Sequence, residues 1–171
     1  MTTTATSERT WPAQPAGRIA LLDVDPDLAA RAGSDGSSNG RLPVPVYRLP
    51  VGHMPAPPRR PGHDAIGFLV LKGVLLYEVS VCGRATAELL GPGDLVRPWA
   101  RDDASLLPSS TTWTVLAQAL LADLDPLEAV RLPNAVEILE SLVARCGDRA
   151  EAVAIQRSVA AHVRVDVRVL A

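Results

Sequence analysis

The chain has 171 residues, with 17 Lys and Arg against 19 Asp and Glu and a formal net charge of -2. That length suffices for one domain that buries its own core, or one domain with an appendage, and the charge gives no clustered basic face of the kind a nucleic-acid backbone selects. Two cysteines, Cys82 and Cys146, supply neither a disulfide framework nor the ligand set of a zinc or iron–sulfur site, and read as reduced thiols.

Residues 1–17, MTTTATSERTWPAQPAG, are Thr, Ala and Pro with Trp11 as the single anchor, and read as a disordered lead. They contain no apolar run of the secretory type, and no stretch of the chain reaches bilayer-spanning length, so the sequence reads as cytoplasmic. From Arg18 to Ala32 a strand-like IALLDV precedes a short helix, with Asp25 as N-cap, Pro26 at its first position and Gly33 as its stop. Residues 34–40 form a connector by composition. LPVPVYRLPVG follows, and its three prolines predict an edge strand, because each removes a ladder donor. MPAPPRRPGH is then an extended, stiff loop.

Between Ile66 and Leu124, apolar stretches rich in Val, Leu, Thr and Tyr alternate with turn chemistry. GFLVLKG, VLLYEVSV, RATAELLGPGD and TTWTVLAQALLADL are separated by Lys72-Gly73, Cys82-Gly83 and Gly91-Pro92-Gly93-Asp94. The pattern predicts a small all-β roll in which each glycine takes the positive φ of a hairpin. Pro92-Gly93 suits the two central positions of a type II turn, which makes Gly91, Gly93 and Asp94 the turn's framework. Such a roll encloses a pocket, and ligand binding becomes the first functional question. After it, Asp125-Pro126 opens a short helix and Pro133-Asn134 a longer one, in which Gly147 marks a kink. On the longer helix Leu139, Val143, Cys146, Ala150 and Val153 fall at steps of four and three. That stripe fits pairing with a second helix, and equally fits packing on the chain's own roll.

Taken in this order, the parts resemble the sensory half of Crp/Fnr-type bacterial transcription regulators, the group that includes the cyclic-AMP receptor protein. The likeness runs from Arg18 to the end and is carried by LVLKGVLLYEV, LLGPGDLVRPW and LLADLDPLEAVRLPNAVEILESL, through their order and spacing. It implies a mainly β fold with flanking helices: a cyclic-nucleotide-binding-like β-roll of double-stranded β-helix or jelly-roll type over 18–132, then a long dimerisation helix over 133–171. In that family the roll holds an effector, the long helix makes a homodimer, and a helix-turn-helix domain reads DNA. Here the sequence stops at HVRVDVRVLA, where Asp166 would cap the first helix of that domain. DNA is therefore expected as a partner only where a helix-turn-helix follows, and no membrane is expected.

The family's cyclic-nucleotide cassette is only partly present. Gly93-Asp94 is kept, but Arg97-Pro98 stands where a Gly-Glu pair would take the ribose, and Ser110-Thr111 where an Arg-Ser pair would neutralise the phosphate. Pro98 offers no N–H and Ser110 no bidentate cation, so cyclic AMP is not expected to bind in the usual way. Arg97 and Arg101 remain as candidate contacts for another anionic effector, with Thr111 and Thr112 as hydroxyl partners; the alternative is that the arginines are solvated beside Asp102 and Asp103. Trp99 and Trp113 either wall the pocket or fill the core, as does Tyr77. His53, His63 and His162 lack the spacing of a cupin metal site, and no nucleophile elbow or phosphate-cradling loop occurs, so no catalytic residue, metal or cofactor is expected. The sequence thus reads as the effector-sensing and dimerising part of a regulator, with a free-standing regulatory module acting through a protein partner as the alternative.

Overall fold

Two long strands carry the architecture of the computed structural model, which describes residues 14–31, 43–54, 66–97, 109–125 and 135–161. They are β4, Gly67–Val81, and β7, Ser109–Leu124, paired antiparallel from Gly67↔Leu124 to Val81↔Ser109. Around them lie β1 (Gln14–Ala20), β2 (Pro43–Leu49), β3 (Gly52–Met54), β5 (Arg84–Leu90) and β6 (Leu95–Val96). The result is a seven-stranded antiparallel sheet of order β1-β2-β7-β4-β5, with β3 on β7 and β6 on β4. Three helices complete the described chain: α1 (Leu21–Val24), α2 (Pro26–Arg31) and α3 (Ala135–Ala161). The protein is thus mainly β, with a long C-terminal helix.

The β4–β7 register slips between Val70 and Leu75, so the two strands are bulged in the middle and change partners there. On the near side of the bulge β7 pairs β2 and β4 pairs β6; on the far side β7 pairs β3 and β4 pairs β5. Lys72-Gly73, expected as a hairpin turn, lies inside this bulge. Gly73 does take a positive φ, +95°, but uses it to bring the strands together: a Cβ there would sit 2.5 Å from the Gln118 carbonyl and 2.6 Å from the Ala119 Cα. Cys82 and Gly83, at φ 48° and 76°, make the tight turn between β4 and β5, the two positive φ values that a twisted two-residue hairpin requires.

Four other expectations are corrected. β2 is an interior strand, flanked by β1 and β7; its prolines are accommodated because Pro43 and Pro45 face β1 only, and pairing with β7 begins at Val46. The Arg18 guanidinium donates to the Pro43 carbonyl at 2.6 and 3.1 Å, tying the same two strands. β1 begins at Gln14, so residues 14–17, expected in the lead, belong to the sheet; pairing with β2 overrides their Pro-Ala composition. Leu21–Val24, expected to continue a strand, forms a helical turn that buries Leu21. α3 runs through Gly147 without interruption. Residues 1–13, 34–40, the Pro-rich loop with His63, the Asp125-Pro126 helix start beyond Asp125, the helix start at Asn134, and His162 and Asp166 lie outside the described residues.

Two apolar clusters form on opposite faces of the sheet, the first confined to its near half and the second reaching past the bulge into the far half. One joins Leu69, Val44, Val46, Ala122 and Leu124 to Leu21 and Leu28 of the short helices and to Ile138 and Leu142 of α3. The other gathers Phe68, Val70, Leu75, Leu90, Val96, Trp113, Val115 and Leu121 with Leu49 and Met54 on the face turned away from the short helices. Tyr47 and Phe68 add an edge-to-face ring pair at 6.1 Å. Among the described residues, no helix is long and apolar enough to cross a membrane, and no group of three His, Cys, Asp or Glu could hold a metal ion.

Candidate functional site

The site is built on the turn after β5. Asp94 N–H donates to the Gly91 carbonyl at 3.1 Å, and Gly93 occupies the positive-φ position at +91°. The turn is tied to β4 by Gly93 N–H to the Val70 carbonyl at 2.8 Å and by Val70 N–H to the Asp94 carbonyl at 2.9 Å. The Asp94 side chain accepts from Gly91 N–H at 2.7 Å. Its carboxylate is therefore aimed by the turn itself, which gives the Gly-Pro-Gly-Asp sequence its purpose.

What that carboxylate meets is a guanidinium from the long helix. Arg149 donates to both Asp94 oxygens at 3.0 and 2.9 Å, to Glu88 Oε1 at 2.7 Å and to the Leu89 carbonyl. One helical turn earlier, Arg145 makes a two-pronged contact with Asp25, at 2.6 and 2.8 Å. Asp25 also accepts from Leu28 N–H at 3.1 Å and so caps α2, as the sequence predicts for that position. Burial works against ionisation of Asp25, but the Arg145 hydrogen bond, the Leu28 N–H, the Arg145 charge and the Asp27 N–H together outweigh it and hold its carboxyl below the usual range. For Arg145, the hydrogen bond to Asp25 leads in raising its pKa, against burial.

Beside the Arg149 contact lies a cleft of about 330 Å³ with three walls. The sheet supplies Tyr77, Glu88, Leu90 and Trp113; the turn and β6 supply Gly93 to Arg97; α3 supplies Arg145, Cys146, Arg149, Ala150 and Val153. Tyr77 and Trp113 are cross-strand partners with ring centroids 4.3 Å apart, tilted by 32°. Trp113 belongs to the core and at the same time lines the cleft. The wall thus offers an aromatic surface, two carboxylates already engaged by Arg149, and the exposed Arg97.

The sequence-selected residues divide accordingly. Arg97 and the turn residues Gly93 and Asp94 line the cleft, and Gly91 holds the turn. Thr111 and Thr112 are exposed on β7, opposite Val79 and Glu78, and do not line it; Ser110 is exposed beside them. Trp99 and Arg101 lie outside the described residues. On α3, Cys146, Ala150 and Val153 line the cleft, whereas Val143 is 70% exposed and Leu139 half-buried. The buried face of the helix is a neighbouring stripe, Ile138, Ser141 and Leu142, continued by the half-buried Arg145 and Arg149.

Sequence reasoning missed Glu88, Arg145 and Arg149. A signal for the arginines existed: positions 138, 142, 145 and 149 repeat the four-and-three spacing one residue away from the chosen stripe, and the apolar start of that row continues into charge. Both residues read as ordinary surface charges because nothing local tells that three acidic partners, Asp25, Glu88 and Asp94, arrive from a helix cap, a strand and a turn more than fifty positions away. The chain matches no family model, no curated protein and no solved structure.

Proposed function

We propose that this chain is the effector-sensing and dimerising part of a Crp/Fnr-type transcription regulator, cytoplasmic, with its effector in the cleft between the sheet, the turn and α3. In this reading the bent sheet is a cyclic-nucleotide-binding-like roll. The observation that carries the proposal is the overlap between cleft and helix stripe: Cys146, Ala150 and Val153 line the cleft and also continue the heptad-spaced row that begins with Leu139 and Val143. A second copy packing along that row covers the open side of the cleft. Effector and partner then contact the same three side chains, so each changes the affinity for the other through their differential contacts. The exposure of Val143 and Val136, 70% and 65%, supports a row with room for a partner helix.

The effector is a small molecule with an apolar or planar part, for Tyr77 and Trp113, and an acidic group, for Arg97. Cyclic AMP fits poorly, since the position of the cassette arginine is taken by the exposed Ser110. Two measurements test the proposal. Sedimentation equilibrium gives a dimer for the chain and a monomer for Leu139→Glu combined with Val143→Glu; a monomeric parent chain removes the dimer, and an unchanged mass in the variant removes the helix row as its seam. Calorimetric titration with cyclic AMP and cyclic GMP gives no heat, and micromolar binding of either would restore the family's usual ligand.

A further inference from the structure

The two halves of α3 are held by different forces. In the first half Ile138, Ser141 and Leu142 are buried against the short helices and the sheet. From Val143 to Val159 no side chain is buried. The second half stands over open space instead: the 330 Å³ cleft lies on one flank, a groove of about 500 Å³ past Asp148 and Ala152 on the other, and a third of about 460 Å³ under Val153, Gln156 and Arg157. Across this region Arg149 reaches the turn and β5, through Asp94, Glu88 and the Leu89 carbonyl.

We propose that Arg149 is a releasable latch, which holds the second half of α3 over the sheet while the first half stays fixed by apolar packing. The physical reason is the kind of contact. A packed leucine leaves a void when it is pulled away, so the first half has no cheap alternative position. Arg149, Glu88 and Asp94 are each 19–30% exposed, and water or another ion can replace each partner as it separates. Arg145 does not share this character, because its partner Asp25 caps α2 beside the buried Leu28 and anchors it to the fixed half. The hinge therefore falls between Arg145 and Arg149, at Cys146, Gly147 and Asp148, where the one glycine of the helix sits with nothing within 4 Å of its missing Cβ. Use of the latch as a relay rests on the effector reading above: an acidic group entering the cleft competes with Glu88 and Asp94 for the Arg149 donors, and the released half-helix carries part of the heptad row with it.

The test needs no ligand. Cys82, at the tip of the β4–β5 turn, is exposed, and Ile155 is 56% exposed on the second half of α3. Spin labels on Cys82 and on Ile155→Cys, in a Cys146→Ser background, report the distance between sheet and half-helix. The latched chain gives one narrow distance distribution. Arg149→Ala, and separately Glu88→Gln, shift it to longer distances with loss of the narrow component, while labels on Cys82 and Glu140→Cys in the first half stay put. Raising the salt from about 0.1 to about 1 M, which shortens the screening length from about 10 to about 3 Å, produces the same shift without any substitution at the latch. If the distribution is unchanged in both variants and in high salt, or if the first-half distance moves as much as the second, the latch is refuted. A chain that unlatches but binds no acidic effector keeps the latch and loses the effector reading, so the two failures are distinct.

Discussion

The near and far halves of the bent sheet are made from the same two strands and obey different rules. In the near half of β4, Gly67, Phe68, Leu69 and Val70 are buried in succession, because α1, α2 and α3 cover one face and the second apolar cluster the other. In the far half of β4 only Leu75 and Val79 are buried, on the face shared with the second cluster, and β5 beside them is largely exposed. Burial on consecutive residues thus marks where a sheet has layers on both sides, and sparse burial marks where one face is open. The cleft lies along the open half, which is where a ligand can enter without displacing a core.

The sharpest way to break this comparison is to truncate one leucine in each half. Leu69 is fully buried under the helices, so Leu69→Ala is expected to lose about 2–5 kcal/mol in urea denaturation. Leu76, half-buried on the far side of the bulge, is expected to lose roughly 1 kcal/mol on the same change, since much of its area stays in water. Equal losses would mean that the two halves are not differently layered.

The bulge that separates the halves comes next in size. Gly73→Ala places a Cβ against three backbone atoms at 2.5–2.8 Å and forces a side chain into positive φ. The crowding costs about 1–3 kcal/mol and the left-handed conformation about 1–2 more. Gly83→Ala, at φ +76° with nothing within 4 Å, carries the conformational part alone, about 1–2 kcal/mol. Measuring both by denaturation isolates the close approach of β4 and β7, and equal effects at the two sites would deny that approach any role in the bend.

The same contrast explains what can be read in the sequence. The positive φ of Gly73, Gly83 and Gly93 is legible, because only glycine takes it at no cost; that Gly73 serves a bulge is not, since the partner that makes it necessary, Ala119, lies 46 positions on. The Gly91–Asp94 turn and the Asp25 cap are legible for the same local reason, each being closed within three residues. β2 misleads because proline counting assumes that every residue of a strand pairs on both sides, whereas Pro43 and Pro45 pair on one. At the site, proximity to the turn is enough to find Arg97, Gly93 and Asp94, and is not enough for Arg149, because an arginine's partners are set by tertiary arrangement.

A smaller effect than that of the bulge is expected at the tie between the helices of the covered half. Asn serves as an N-cap about as well as Asp, so Asp25→Asn keeps the cap of α2 and removes the charge that Arg145 engages. The folded carboxyl has its pKa below the usual value, so its contribution is complete above an unfolded pKa of about 3.9 and is lost as pH falls through the lower folded value. Parent and variant should therefore differ by about 1–2 kcal/mol at neutral pH, the range of a hydrogen-bonded ion pair with limited exposure. As pH falls below about 4 the two stability curves should draw together, and they should meet only below the lowered folded value, where the native parent carboxyl is neutral as well. Denaturation midpoints measured from acid to neutral pH decide it: a constant difference across the whole range would assign the loss to the shape of the amide and not to the charge on Asp25.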